Sequence, residues 1–253
     1  MIYIYLFLFI IGSILGSFYA VVGTRRPLEK SIIRPASHCE YCNHILKWYE
    51  LIPIVSYLIQ GGKCRSCNAK LPPMYIIIEI LSGLLFVVSF YIFGFSYKTL
   101  ILFVIASLLI IIYVSDFKYY IILDGPLIIS FILILLIKGY FLGLKEVGIS
   151  LITGLLTFTL LYLIKIFGDK AFKRESLGGG DIKLGAIIGA TVGFLPSVFS
   201  LAVASFLALP YACFLIIRNK EEEMPFGPFL ISALYLMYIY LEPFQNLFAI
   251  LLV

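Results

Sequence analysis

The sequence predicts an all-α membrane protein, a polytopic bundle of about eight transmembrane helices with a small cytoplasmic zinc-knuckle loop domain. Composition, the spacing of uncharged runs and the placing of charge predict it. At 62% hydrophobic and 13% charged residues, with a mean hydropathy of +1.08, the 253 residues cannot surround an apolar core with a polar shell. An ordinary soluble domain is therefore excluded. Uncharged or nearly uncharged stretches run through 1–23, 72–97, 99–115, 125–144, 147–167, 182–197, 198–217 and 226–241. Each is of bilayer-spanning length or slightly less. The sixth and seventh merge into one uncharged run over 184–217, which Pro196 is expected to break into two spans. The apolar tail 243–253 is too short to cross and reads as an interfacial or packed end.

Placing the N-terminus outside puts 23–73, 116–124, 165–183 and 218–224 on the cytoplasmic side. Those loops hold sixteen of the nineteen Lys and Arg, leaving only Lys98, Lys138 and Lys145 elsewhere. The positive-inside bias thus selects this orientation. The net charge of +5 follows from topology and attraction to membrane lipid, and requires no nucleic-acid partner. No basic residue precedes the first segment and Arg25 and Arg26 follow it, so it reads as a retained span rather than a signal peptide. The expected organisation is a first helix over 1–23, a cysteine loop domain over 24–73 and a multi-span core over 74–253.

Cys39-Glu40-Tyr41-Cys42 and Cys64-Arg65-Ser66-Cys67 are two C-x2-C knuckles separated by 21 residues. Four thiolates at this spacing surround one tetrahedral zinc, and four sulfurs leave no open position, so the metal is structural. The cytoplasmic placing argues against disulfides. Cys213 reads as a packing residue in an apolar segment.

The only histidines, His38 and His44, flank the first knuckle and are expected to be exposed neighbours of it. There is no H-E-x-x-H, and no histidine in an apolar segment to activate a serine or cysteine. The acids are more selective. Asp116 closes one apolar segment, and Asp181 opens another after Gly178, Gly179 and Gly180. Carboxylates near hydrocarbon are costly and usually functional. Two within about 3 Å share one proton, which supplies a general base and a general acid. Asp124 lies eight residues from Asp116, about 12 Å along a continuous helix, so Asp181 is expected to pair across helices with one of them. The glycines would form a loop that lets another chain come close. A plainer reading is a glycine-rich loop ending in an N-cap aspartate.

Asp116, Asp124 and the run Gly178-Gly179-Gly180-Asp181-Ile182-Lys183 together resemble the type IV prepilin peptidases, membrane aspartic proteases of the GxGD type. Gly16-Ser17-Phe18 with Arg25-Arg26-Pro27 is similar to that family's first-span motif. The paired knuckles resemble it too, with Glu50-Leu51-Ile52-Pro53 and Gly62-Lys63 between them, as does Pro225-Phe226-Gly227-Pro228-Phe229 near the end. The cysteine-bearing form looks most like the competence-type enzymes of Gram-positive bacteria. Leu123 stands where the family commonly has proline before Asp124, and Ile76 where it often has proline ahead of Glu79.

The resemblance implies that Asp116 and Asp181 are the catalytic pair, with Gly178, Gly179 and Gly180 as an active-site loop and Asp124 and Lys183 as accessory groups. It implies substrates that are prepilins or pseudopilins, cut after a glycine where a basic leader meets an apolar helix. It also implies N-methylation of the new amine from S-adenosylmethionine, for which Glu50 and Glu79 are candidates. No Gly-rich dinucleotide fingerprint marks that cofactor. The acidic run Glu221-Glu222-Glu223 reads as a solvated loop, with attraction of the basic leader as its functional counterpart. Two competing classes are a proton- or ion-coupled transporter using the intramembrane aspartates, and a zinc-bearing scaffold without catalysis.

Overall fold

A computed structural model describes residues 2–173, 175–218 and 224–251. The acidic run at 221–223 lies outside them. Helices dominate, and the only β pairing among the described residues is two isolated bridges. The chain divides into two compact units, Met1–Gly94 and Phe95–Val253.

In the first unit, α1 (Ile2–Arg25) packs along α3 (Met74–Phe93). Small residues make this possible. A Cβ on Gly12 would lie 2.9 Å from Gly83 Cα, and one on Gly16 would lie 2.6 Å from Ser82 Cβ. Gly12, Gly16, Ser82 and Gly83 thus bring two backbones together where apolar side chains alone give little drive for association in lipid. Between these helices runs the cysteine loop, with a 3-10 turn at Trp48–Glu50 and a short helix, α2 (Val55–Ile59).

The second unit contains α4 (Tyr97–Tyr119), α5 (Asp124–Leu142), α6 (Leu144–Phe172), α7 (Gly179–Val192), α8 (Phe194–Ile217), α9 (Gly227–Ile239) and α10 (Leu241–Leu251). Its centre is α4, whose Ile101, Leu102, Ile105, Leu108, Ile110 and Ile112 are fully buried. Leu184 and Ile188 of α7 and Leu230, Ile231 and Leu234 of α9 complete the core. Helices α5, α6 and α8 instead leave large apolar side chains exposed, as a lipid-facing surface requires. Apart from Ser107, Tyr113 and Ser115, the polar side chains of α4 sit near its ends, with Asp116 in the last turn.

All eight apolar segments are helical, and six helices are long and apolar enough to cross a membrane. This is a multi-pass membrane protein. The other two are shorter than a span: α7 has 14 residues and α9 has 13, about 20 Å each against a hydrocarbon core of about 30 Å. The expected break at Pro196 is corrected. The chain turns at Gly193, whose φ of +90° only glycine adopts freely, and Pro196 lies inside the first turn of α8. Proline is tolerated there because first-turn N–H groups have no helical acceptor.

Candidate active site

The α4 helix ends because Tyr120 enters the left-handed region at φ +55° and returns its N–H to Asp116 O at 2.9 Å. The helix does not continue to Asp124, which opens α5 after Leu123. Leu123, at φ −78° and ψ 124°, adopts the extended backbone that a proline would favour, so the turn forms without one.

Asp116 is 5% exposed, and its Oδ2 accepts the Gly227 N–H at 3.1 Å. Asp181 is 8% exposed. It stands in the first turn of α7, not at the N-cap, which is Gly178. The three glycines are not one loop. Gly178 alone is extended, at φ −68° and ψ 146°, and Gly179 and Gly180 are already helical. Asp181 Oδ1 is buried and takes no hydrogen bond from the described residues. The surroundings of the two acids are joined through one shared neighbour.

Ile122, in the turn between α4 and α5, explains how they meet. A Cβ on Gly180 would fall 2.7 Å from Ile122 Cβ, and one on Gly227 would fall 2.7 Å from Ile122 Cδ1. The same Cβ on Gly227 would lie 2.9 Å from Asp116 Oδ2. Both glycines therefore lie against one isoleucine; Asp181 follows Gly180, and the N–H of Gly227 reaches Asp116. Pro228 follows Gly227 at the start of α9, where its missing N–H costs nothing. The Gly-Pro pair was visible in sequence, but its contact with Asp116 was not.

Asp124 is no part of the carboxyl pair. It takes an ion pair at 2.6 Å from Lys183 Nζ, with both side chains more than half exposed. Thus three acids expected to share the cytoplasmic face separate into two buried ones and one paired at the surface.

The cysteine loop holds the same turn twice. Asn43 N–H donates to Cys39 O and Asn68 N–H to Cys64 O, each at 2.9 Å. Cys39 N–H donates to His44 O and Cys64 N–H to Ala69 O, again at 2.9 Å. Asn43 and Asn68 have φ of +56° and +58°, a region asparagine tolerates better than most residues. The reading of the two knuckles missed these asparagines, although C-x2-C-N was there to be seen. The pairs Cys39–Cys67 and Cys42–Cys64 have their sulfurs 3.9 Å apart, and all four lie within 4.8 Å of one another. These four cysteines can hold a metal ion. The Ser66 N–H donates to Cys64 Sγ at 3.4 Å, an arrangement that favours the thiolate a metal binds.

His44 is not a free neighbour of the knuckle. Its Nε2 is 3.3 Å from Glu50 Oε2, which also accepts the Lys47 N–H at 2.9 Å. Glu50 is buried, and its Oε1 has no hydrogen-bond partner among the described residues. Glu79, buried in α3, accepts the N–H of Ile54 at 2.7 Å. Ile54 has φ +64°, strained for a β-branched residue, and the carboxylate holds it there. Cys213 is exposed, not buried as its segment suggested, and faces outward from α8.

Residues 10–93 match the bacterial peptidase A24 N-terminal domain and residues 103–213 the type IV leader peptidase family. The chain is 34% identical to a prepilin leader peptidase/N-methyltransferase of Bacillus subtilis (strain 168) over 236 residues, covering 92% of this chain and 93% of that protein. It is 36% identical over 184 residues to one of Myxococcus xanthus, covering 73% of this chain and only 55% of the longer relative. A Vibrio cholerae relative of the same name is 33% identical over 217 residues, covering 79% and 83%. No solved structure matches. Nothing among these similarities supports a transporter.

Proposed function

The chain belongs to the type IV leader peptidase family, and from that premise we propose that it is an aspartic endopeptidase using Asp116 and Asp181. Its substrates are prepilins or pseudopilins, and cleavage follows a glycine where the basic leader meets the apolar helix. One observation supports this reading: two buried acids from different helices lie around Ile122, Asp181 next to Gly180 and Asp116 bonded to Gly227, where added side chains would collide.

The pair holds one proton between its members because two adjacent buried charges are costly. The ionised carboxyl takes a proton from water as the water oxygen bonds to the scissile carbonyl carbon. The other donates its proton to the amide nitrogen as the C–N bond breaks. A leader ending in a carboxylate and a mature protein with a free amine result. The Gly227 N–H keeps Asp116 Oδ2 in place, while Asp181 Oδ1 is the unengaged oxygen able to hold the attacking water. The dyad titrates as a pair, so base and acid are roles of the pair.

The bias of Lys and Arg toward the loops that carry Asp116 and Asp181 supports a cytoplasmic catalytic face and an external N-terminus. Lipid surrounds the exposed apolar helices. The four cysteines hold a structural zinc. A tetrahedral site with Zn–S bonds of about 2.3 Å has edges of about 3.8 Å, and the sulfur pairs at 3.9 Å fit it.

The names of the relatives support methylation as a second activity. Buried Glu50, with one unpartnered oxygen, and buried Glu79 suit a cationic sulfonium or an ammonium, so they would hold the donor or the amine. When bound, S-adenosylmethionine supplies the methyl group. Transfer of label from it to the amine of a cleaved substrate tests this activity, and no transfer leaves a peptidase only.

The peptidase reading is tested by co-expressing a prepilin with wild type, Asp116→Asn, Asp181→Asn and Asp124→Asn. Processing lost in the first two variants alone, with each protein still in the membrane, supports the dyad. Processing retained by both overturns it.

A further inference from the structure

The C-terminal end of α7 lies inside the unit, and its last carbonyls need donors. Gly189 O accepts from Gly193 N–H at 2.9 Å and from Thr153 Oγ1 at 2.8 Å. The next two are taken by one side chain. Lys138 Nζ donates to Ala190 O at 2.7 Å and to Thr191 O at 2.9 Å, and its third bond goes to Ser150 Oγ at 3.0 Å. Three acceptors use all three protons of an ammonium, and a cation at a helix C-terminus faces the negative end of the dipole. Carbonyls left unpaired in hydrocarbon would each cost several kcal/mol. Taken alone, this is a helix cap.

The neighbouring contacts give it a larger consequence. Lys138 lies on α5, and so does Asp124, whose partner Lys183 is near the N-terminal end of α7. Helix α5 therefore grips α7 at both ends. On its other side α7 meets α6 through small residues. A Cβ on Gly154 would be 2.9 Å from Ala186 O, one on Gly185 2.1 Å from Leu161 Cδ1, and one on Gly189 2.3 Å from Thr157 Oγ1. That interface sets how near the helices lie, with Leu161 and Thr157 seated in the gaps over Gly185 and Gly189, and polar attachments hold the ends of α7. The Asp124–Lys183 pair is more than half exposed and weak, and Thr153 gives α7 one bond from α6, whereas Lys138 takes two of its last carbonyls among buried Ala190, Thr191 and Ser150.

We propose that Lys138 is a positioning residue, which by clamping the end of α7 to α5 sets the height of Asp181 against Asp116. This rests on the reading of that pair as the catalytic dyad. Asp181 is only two residues before Lys183 on the same short helix, so a slide or tilt of α7 moves its carboxyl directly. A misplacement of about 1 Å at a reacting group costs roughly 100-fold in rate.

The test uses the full chain in detergent or membranes, with Lys138→Met and Lys138→Arg. Lys138→Met should lower kcat by roughly 30- to 100-fold with KM within about twofold, and Lys138→Arg, which keeps charge and donors, should recover most of it. Hydrogen exchange read by mass spectrometry separates a clamp from a local cap. Faster exchange in Lys138→Met at amides 180–184 as well as 189–193 supports the proposal, and a change confined to 189–193 overturns it. An unchanged kcat also overturns it. Should Lys138→Met not accumulate, Lys138→Gln is read in the same way. If wild type cleaves no prepilin, the peptidase reading has failed, and the exchange pattern still decides the clamp.

Discussion

Gly227 and Asp116 are 111 residues apart in the chain, yet the N–H of one donates to Oδ2 of the other at 3.1 Å. A Gly-Pro helix start thus serves as a fixed support for a buried acid. An alanine at 227 would place its Cβ 2.9 Å from that oxygen and 2.7 Å from Ile122 Cδ1. Either the helix or the carboxyl must move, and the bond is lost. A hydrogen bond to a charged group is worth about 1.5–3 kcal/mol, so Gly227→Ala should lower kcat by roughly 10- to 100-fold. Steady-state cleavage of a purified prepilin checks this. A loss seen only in KM would mean that Gly227 contacts substrate instead.

Asp124 and Lys183 form an exposed pair, for which about 0.2–1 kcal/mol is the usual range. Asp124→Asn and Lys183→Met should therefore each reduce cleavage by no more than about fivefold. The exchanged pair Asp124→Lys with Lys183→Asp should recover most of that loss. A double-mutant cycle on kcat/KM measures the coupling. A loss of a thousandfold on Asp124→Asn would instead put that acid in the chemistry.

The elements were legible because hydropathy and C-x2-C spacing act locally. A run free of charge must be helical in lipid, whatever it packs against, so all eight segments were found. The turn between α7 and α8 was misplaced because Pro196 is the more conspicuous breaker, while the break depends on the positive φ of Gly193. Asp116 and Asp181 stood out as acids at segment ends. The partners that hold them did not. Contacts of Gly227 with Asp116, Ile122 with both glycines and Lys138 with α7 join residues far apart in the chain, and one sequence carries no signal for such pairings.

Metal removal should act on the cysteine loop first. The four sulfurs sit within 4.8 Å of one another, and each knuckle has its own backbone bonds to hold its turn. Without a cation, gathered thiolates repel and the two turns lose what joins them. Purified protein should contain about one zinc per chain, and strong chelation or Cys64→Ser should open 24–73 to limited proteolysis. Zinc-free protein with four free thiols and an equally resistant loop would remove the metal from the account.

Glu50 makes the stability of the same loop depend on pH in a definite direction. Its Oε2 accepts the Lys47 N–H at 2.9 Å, and that bond, with smaller help from His44 and Arg65, holds the carboxyl below its ordinary value against the opposing effect of burial. A carboxyl depressed in the folded state contributes stability above its unfolded pKa of about 4.3. The contribution disappears as pH falls through the lower folded value. Glu50→Gln should therefore weaken protection of the loop amides at pH 7, and the difference from wild type should shrink to nothing near pH 3. Acid also protonates the thiolates and releases a metal, but it does so in both proteins, so the difference between them isolates Glu50. Hydrogen exchange across 24–73 at several pH values measures it. A difference that stays constant with pH would show that glutamine disturbs packing, and that the charge on Glu50 is not what secures the turn at Trp48–Glu50.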